Sequence, residues 1–339
     1  MTADMTKTQR TFSALRGEVV DRPPVSAWWH DFPREWSAEG IAEATLEAYR
    51  KYDWDFIKVN PRASYYAEDW GARYVMAAEP GRQPVLTEPG ISSPEHLARI
   101  HALDVTQSAY GEQLEGLRII ASELGKEAPF IQTVFSPLAV VSRITGSTKY
   151  TQRLMRENTH ELTMALHAIA ETLAVYSRAC LDAGASGIFF ATVEWGSADV
   201  ISMEDYETFG RPFDLPVLEA VSDAPFNVLH VCRSHNFLAG LIDYPVAAFH
   251  WDAHGEGNPT LLQGAAHTDK AVMGGVSHER TMARPAPAEV AKEAERAIVE
   301  MGGRRFLLAP GCSIEPATPE VNLRALAQSV RRSFGKSAR

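Results

Sequence analysis

The chain has 339 residues, 45% of them apolar, enough to bury a large core when about 250 residues already suffice for one α/β barrel. A formal charge of -10 and a pI near 5.6 argue against a nucleic acid or an anionic membrane surface as partner, because both reward basic patches. The first residues, Met1 to Lys7, lack a signal peptide's apolar stretch, no window approaches the about 20 apolar residues of a membrane span, and three cysteines make no disulfide framework, so a soluble cytoplasmic enzyme is expected.

Along the chain, short apolar strands alternate with longer helical segments. Residues 24–30 predict a first strand and 41–52 a helix. Residues 56–60 predict a second strand, which runs into an irregular loop rich in Pro, Tyr and Trp as far as Trp70. Helical stretches follow at 94–101 and 110–124, then a third strand at 129–134 and one long helix from 150 to 180. The turn around Gly184 ends that helix, since glycine takes the C-terminal cap cheaply. A fourth strand at 187–191 leads to Glu194, a helix spans 203–221, and strands five to eight fall at 227–232, 247–252, 271–275 and 305–309. A last helix covers 319–332. Eight strands each followed by a helix predict a (β/α)8 TIM barrel, one domain over 1–339 with a short N-terminal extension, whose chemistry sits at the C-terminal strand ends.

The fifth strand carries the most chemistry. Alternate residues of a strand project to one side, so His230 and Cys232 share a face at its C-terminal end. Cys312 follows the apolar run 306–311 and the turn Pro310-Gly311. Imidazole and thiolate are ligands that zinc accepts, and three of them would leave one position open, as in a catalytic rather than a structural site. Asp252, ending the sixth strand, is the preferred fourth ligand over Glu194, and a carboxylate capping the next loop is the alternative for it. Free cysteines are commonly small buried hydrophobes; that reading stands beside the metal reading for the trio and is preferred for Cys180. His30, Asn60, Glu194 with its neighbour Trp195, and His278 are the candidate substrate-binding residues. The segment 252–257 matches a D-x-H-x-x-G pattern found in corrinoid-binding domains, but too little chain follows to build such a domain, so the match is taken as coincidence.

With these residues in place, the chain resembles the uroporphyrinogen decarboxylase superfamily. The resemblance rests on the entry Arg16-Gly17-Glu18-Val19-Val20-Asp21-Arg22-Pro23-Pro24 and on the exit from Leu308 through Pro310-Gly311-Cys312-Ser313-Ile314-Glu315-Pro316 to Leu323. It implies the same (β/α)8 barrel. The decarboxylases themselves carry an arginine-rich segment after the first strand, where this chain reads Ala27-Trp28-Trp29-His30-Asp31, and an aspartate where it has Asn60. Decarboxylation of uroporphyrinogen is therefore not expected. The His-x-Cys and distant Cys instead resemble the zinc motif of the methylcobamide-dependent branch that methylates coenzyme M. Carried over, the resemblance makes His230, Cys232 and Cys312 the zinc ligands and places Asp252 where that branch has a glutamate.

It implies an enzyme that moves a methyl group between a methylated corrinoid, either free methylcobalamin or a separate corrinoid protein, and a zinc-activated thiol such as coenzyme M. Two alternatives stand beside it. One is a donor-side enzyme demethylating a methoxylated, methylamine or halomethane substrate onto a corrinoid; the other is a decarboxylase-like or hydrolytic enzyme in which zinc activates water. Members of the superfamily are often dimeric, which leaves a homodimer open.

Overall fold

A computed structural model describes residues 4–79 and 81–335. Among the described residues there are nine strands: β1 Ile57–Val59, β2 Arg73–Val75, β3 Val85–Glu88, β4 Phe130–Phe135, β5 Ile188–Ala191, β6 Val228–Val231, β7 Ala248–Trp251, β8 Ala271–Val276 and β9 Phe306–Pro310. Seven form one parallel sheet in the order β1-β4-β5-β6-β7-β8-β9, and β2 and β3 make a separate antiparallel hairpin. Strands that pair in chain order with helices between them curl into a TIM-barrel-like fold.

The expected first strand, 24–30, is the piece that closes the ring, though not as a regular strand. It meets the sheet through isolated parallel bridges, Val25 with Leu308 and Trp29 with Ile314. Leu308 N donates to Pro24 O at 2.9 Å and Ser26 N to Leu308 O at 3.2 Å on the β9 side, while Asp55 N donates to Val25 O at 2.9 Å on the β1 side. The physical reason for the broken ladder is local. Pro23 and Pro24 have no N–H to give, and Val25 N is spent on the Asp55 carboxylate at 2.9 Å. That carboxylate, fully buried, also accepts from Arg10 and from both terminal nitrogens of Arg22, and Arg10 pairs in turn with Asp21. Much of the entry motif thus serves to pin the closing segment against β1. Pairing this complete offsets the cost of burying the charges.

Helices depart from expectation where glycine, asparagine or proline interrupts the pattern. The stretch 150–180 is two helices, Thr148–Glu157 and Thr159–Asp182, with Asn158 between them. The stretch 203–221 breaks at Gly210 into Met203–Phe209 and Arg211–Glu219. Residues 94–99 form a 3-10 helix, and the aromatic loop holds a short helix, Tyr65–Glu68, before the β2–β3 hairpin. A further helix, Pro137–Thr145, follows β4, whereas β6 is followed only by the 3-10 turn Leu238–Gly240.

Two buried layers result. One lies between sheet and helices; the other fills the interior with Trp28, Phe56, Ile131, Phe189, Val228 and Met273. The helix Lys7–Arg16, started by a Thr6–Gln9 capping box and ended at Gly17, sends Leu15 into that interior cluster and so plugs the floor. The opposite, C-terminal end of the strands stays free for side chains that do chemistry.

Candidate metal centre

The period-2 alternation of the strands decides which side chains enter the barrel. On β1 the inward residues are Phe56, Lys58 and Asn60, because Ile57 and Val59 pack outward against the helices. On β6 they are Val228 and His230, with Cys232 one step beyond the strand. His230 pairs in register with His250 of β7. On β9 the inward Leu307 and Ala309 lead to Cys312. Gly311 makes the approach of that last residue feasible, since a Cβ there would sit 2.6 Å from Asp252 Oδ1 and 2.8 Å from its Cα. Only a residue without a side chain lets the turn after β9 settle on the end of β7.

The three sequence-predicted ligands come together. Cys232 Sγ lies 3.8 Å from Cys312 Sγ, Cys312 Sγ lies 3.5 Å from His230 Nε2, and all three ligand atoms fall within 4.8 Å of one another. His230 is held from behind by His250, whose Nδ1 is 2.8 Å from His230 Nδ1, and by a ring contact with Phe189 at 5.1 Å. The hydrogen bond between the two thiols draws Cys312 well below the ordinary thiol range and pushes Cys232 well above it. Burial drives His250 well below the usual imidazole range.

A cavity of ≈ 100 Å³ opens onto the trio, with Trp28, Phe135 and Phe189 as apolar walls. Two of the expected substrate-binding residues, His30 and Asn60, line it. His30 stacks on Phe32 at 4.7 Å and hydrogen-bonds Glu35 at 2.9 Å. Asn60 leaves its buried Nδ2 without a hydrogen-bond partner. The others stand elsewhere. Trp195 is fully buried in the layer between sheet and helices. Glu194 accepts from Ser142 and Thr148, each at 3.4 Å. His278 is 3.7 Å from Asp252, and Asp252 lies outside the trio, accepting from His254 N at 3.0 Å. The backbone is strained around the mouth: Val193, Arg233 and His235 all have positive φ, which a β-branched residue such as Val193 adopts only at a cost.

Sequence reading passed over two residues at this site, Lys58 and His250. Lys58 is buried, donates to Asn60 Oδ1, and has its ammonium 4.9 Å from the ring of Phe189. Loss of hydration lowers it to about 7, against the opposing pull of the Cys312, Glu35 and Cys232 charges. The available signal was alternation: Lys58 lies between Phe56 and Asn60 on one face, and His250 stands two residues before Asp252.

The chain is similar to known proteins over nearly its whole length. The model of the family described as uroporphyrinogen decarboxylase (URO-D) matches residues 33–333. The methylcobamide:CoM methyltransferase MtbA of Methanosarcina acetivorans is 22% identical over 347 residues, covering 97% of this chain and 98% of that protein. MtaA of Methanosarcina barkeri, also a methylcobamide:CoM methyltransferase, is 25% identical over 341 residues, covering 96% and 97%. Among solved structures, a methyltransferase from Methanosarcina mazei superposes with a TM-score of 0.79 at 21% identity, covering 97% of this chain and 99% of that one. A B12-independent methionine synthase from Shewanella gives 0.63 at 11% identity, covering 93% and 98%. Among the described residues, no helix is long and apolar enough to cross a membrane.

Proposed function

This chain belongs to the uroporphyrinogen decarboxylase family, and we propose that within it the chain is a zinc-dependent methyltransferase moving a methyl group from a methylated corrinoid to a small thiol. One observation carries this reading: the spacing of the ligand atoms. Zn–S bonds of about 2.3 Å and Zn–N bonds of about 2.0–2.1 Å in a tetrahedron require S to S separations of about 3.8 Å and S to N separations of about 3.5 Å. Those are the separations of Cys232 from Cys312 and of Cys312 from His230, 3.8 Å and 3.5 Å. Two of the three ligand separations thus match those the metal requires and the third pair lies within 4.8 Å, with one coordination place left for a ligand from solution. Bound there, zinc would supply the acidity that keeps a thiol in its nucleophilic thiolate form near neutral pH.

The remaining tasks fall to the chain's own side chains. Trp28, Phe135 and Phe189 wall the cavity and exclude water from a thiolate. Lys58 and the unpartnered Nδ2 of Asn60 offer donors to an acidic group on the acceptor. Asp252 and His278 stand at the β7 and β8 ends. With Asn60 in place of an acid the decarboxylase reading loses its support. The names of the relatives MtbA and MtaA support a corrinoid as methyl donor and coenzyme M as acceptor. The donor would be methylcobalamin or a separate corrinoid protein meeting the C-terminal face of the barrel.

Metal analysis combined with a spectral assay tests this. The purified protein is expected to take up stoichiometric zinc and to demethylate methylcobalamin only when a thiol such as coenzyme M is added. Both properties should be lost in Cys312→Ser, by more than the about 10–100-fold that changes behind a ligand cause. A protein that takes up no zinc, or that consumes methylcobalamin without regard to thiol, would overturn the proposal.

A further inference from the structure

His250 makes two hydrogen bonds whose donors and acceptors can be assigned by counting. Its Nε2 is 2.9 Å from the backbone oxygen of Pro310. A carbonyl only accepts, so that nitrogen carries the hydrogen, and in a neutral ring Nδ1 is then a bare lone pair. This lone pair lies 2.8 Å from His230 Nδ1, which is also 3.3 Å from the backbone oxygen of His250, a second and longer acceptor. One hydrogen must lie between the two nitrogens, and His230 has to provide it. With its hydrogen on Nδ1, His230 presents an unprotonated Nε2 to the thiol pair, 3.5 Å from Cys312 Sγ.

We propose that His250 is the positioning residue that fixes the tautomer of His230, so that a backbone carbonyl on β9 decides which nitrogen on β6 is available as a ligand. The inference rests on the metal reading above for its purpose but not for its geometry. The chain of contacts crosses three strands, from Pro310 through His250 of β7 to His230. It ties the ligand on β6 to the strand that delivers Cys312 two residues later. Trp28, with its ring 5.2 Å from that of His250, and Phe189, at 5.3 Å, pack the His250 ring from the cavity side and keep it from rotating out of the relay. With the ring acceptor removed, only the longer contact to the His250 backbone oxygen, 3.3 Å from His230 Nδ1, is left to hold that hydrogen, and a His230 that moves it to Nε2 and donates it to Cys312 cannot hold a metal there.

Two measurements test the relay. Nitrogen NMR on metal-free protein labelled at histidine, with His230 assigned by substitution, is expected to show its hydrogen on Nδ1 and that of His250 on Nε2; an Nε2-protonated His230 would overturn the inference. Zinc affinity by chelator competition is expected to fall about 10–100-fold in His250→Phe, which keeps a ring but offers no acceptor. His250→Asn, whose Oδ1 can stand in for the lost nitrogen, is expected to recover most of that loss. Equal zinc affinity in all three proteins would also overturn it. If wild-type protein binds no zinc, the metal reading fails, and the NMR assignment alone still decides whether the relay exists.

Discussion

Lys58 is an amine placed where the fold offers it a neutral acceptor, Asn60 Oδ1, and aromatic faces, rather than a carboxylate partner in bonding contact, and burial lowers it to about 7, so that it is only partly protonated near neutral pH. Burying an ammonium this way costs free energy, and the cost is understandable if an acidic ligand arrives to share the cavity. A charge-assisted hydrogen bond contributes about 1.5–3 kcal/mol, and each 1.4 kcal/mol is about a factor of ten in affinity. Lys58→Met is therefore expected to raise KM about 10–100-fold for a thiol bearing an acid group, such as coenzyme M, and to leave a neutral thiol such as 2-mercaptoethanol nearly unaffected. Steady-state kinetics with the two acceptors check this; equal losses for both would remove the anion-binding role. His230, Cys232 and Cys312 were visible in the sequence because their side chains announce ligand chemistry by type. Lys58 was not, because an ammonium on a strand is ordinarily a solvated edge residue, and only ring closure shows that this one points inward.

At the scale of elements, the turn after β9 matters most. The contact between Gly311 and Asp252 seats the end of β9 on the end of β7, and Gly311 N adds a hydrogen bond to Val276 O at 3.0 Å on β8. A methyl group at position 311 has nowhere to go without moving this turn. Gly311→Ala is expected to cost about 1–3 kcal/mol of stability, the usual penalty of overpacking, and to weaken zinc uptake because Cys312 moves with the turn. Thermal unfolding and chelator competition measure the two effects; a variant that is destabilised but binds zinc as tightly as wild type would show that Cys312 is held by other contacts. The expected strands at 56–60, 129–134, 187–191, 227–232, 247–252, 271–275 and 305–309 each overlap an observed one, to within a residue or two at the ends, since short apolar runs between turns are locally specified. Helix breaks at Asn158 and Gly210 were missed because helical spacing of apolar residues runs on across a single interrupting residue, and the β2–β3 hairpin because its strands are short and largely exposed.

Stability of the whole molecule carries its own pH dependence. Asp214 is fully buried, accepts from the hydroxyls of Tyr206 at 2.6 Å and Tyr244 at 2.9 Å, and is pushed up by burial from 3.8 to about 7. Its folded value lies above its unfolded one, so between about pH 4 and pH 7 the native state holds a proton that the unfolded chain releases. Stability contributed by this group is then present at low pH and lost as pH rises through that window. Asp214→Asn cannot titrate, so its melting temperature is expected to gain on the wild type as pH goes from 4 to above 7; a pH-independent difference would mean that Asp214 is ionised in the native state throughout. Sequence alone determined the strand and helix alternation, hence the barrel, and the chemical types of the three ligands, because periodicity and ligand softness are properties of neighbouring residues. The closing of the ring by a proline-broken segment, the entry of Lys58 and His250 into the interior, and the 3.8 Å approach of two sulfurs 80 residues apart were decided only by the tertiary structure, because they depend on which strand faces meet across the barrel and at what height.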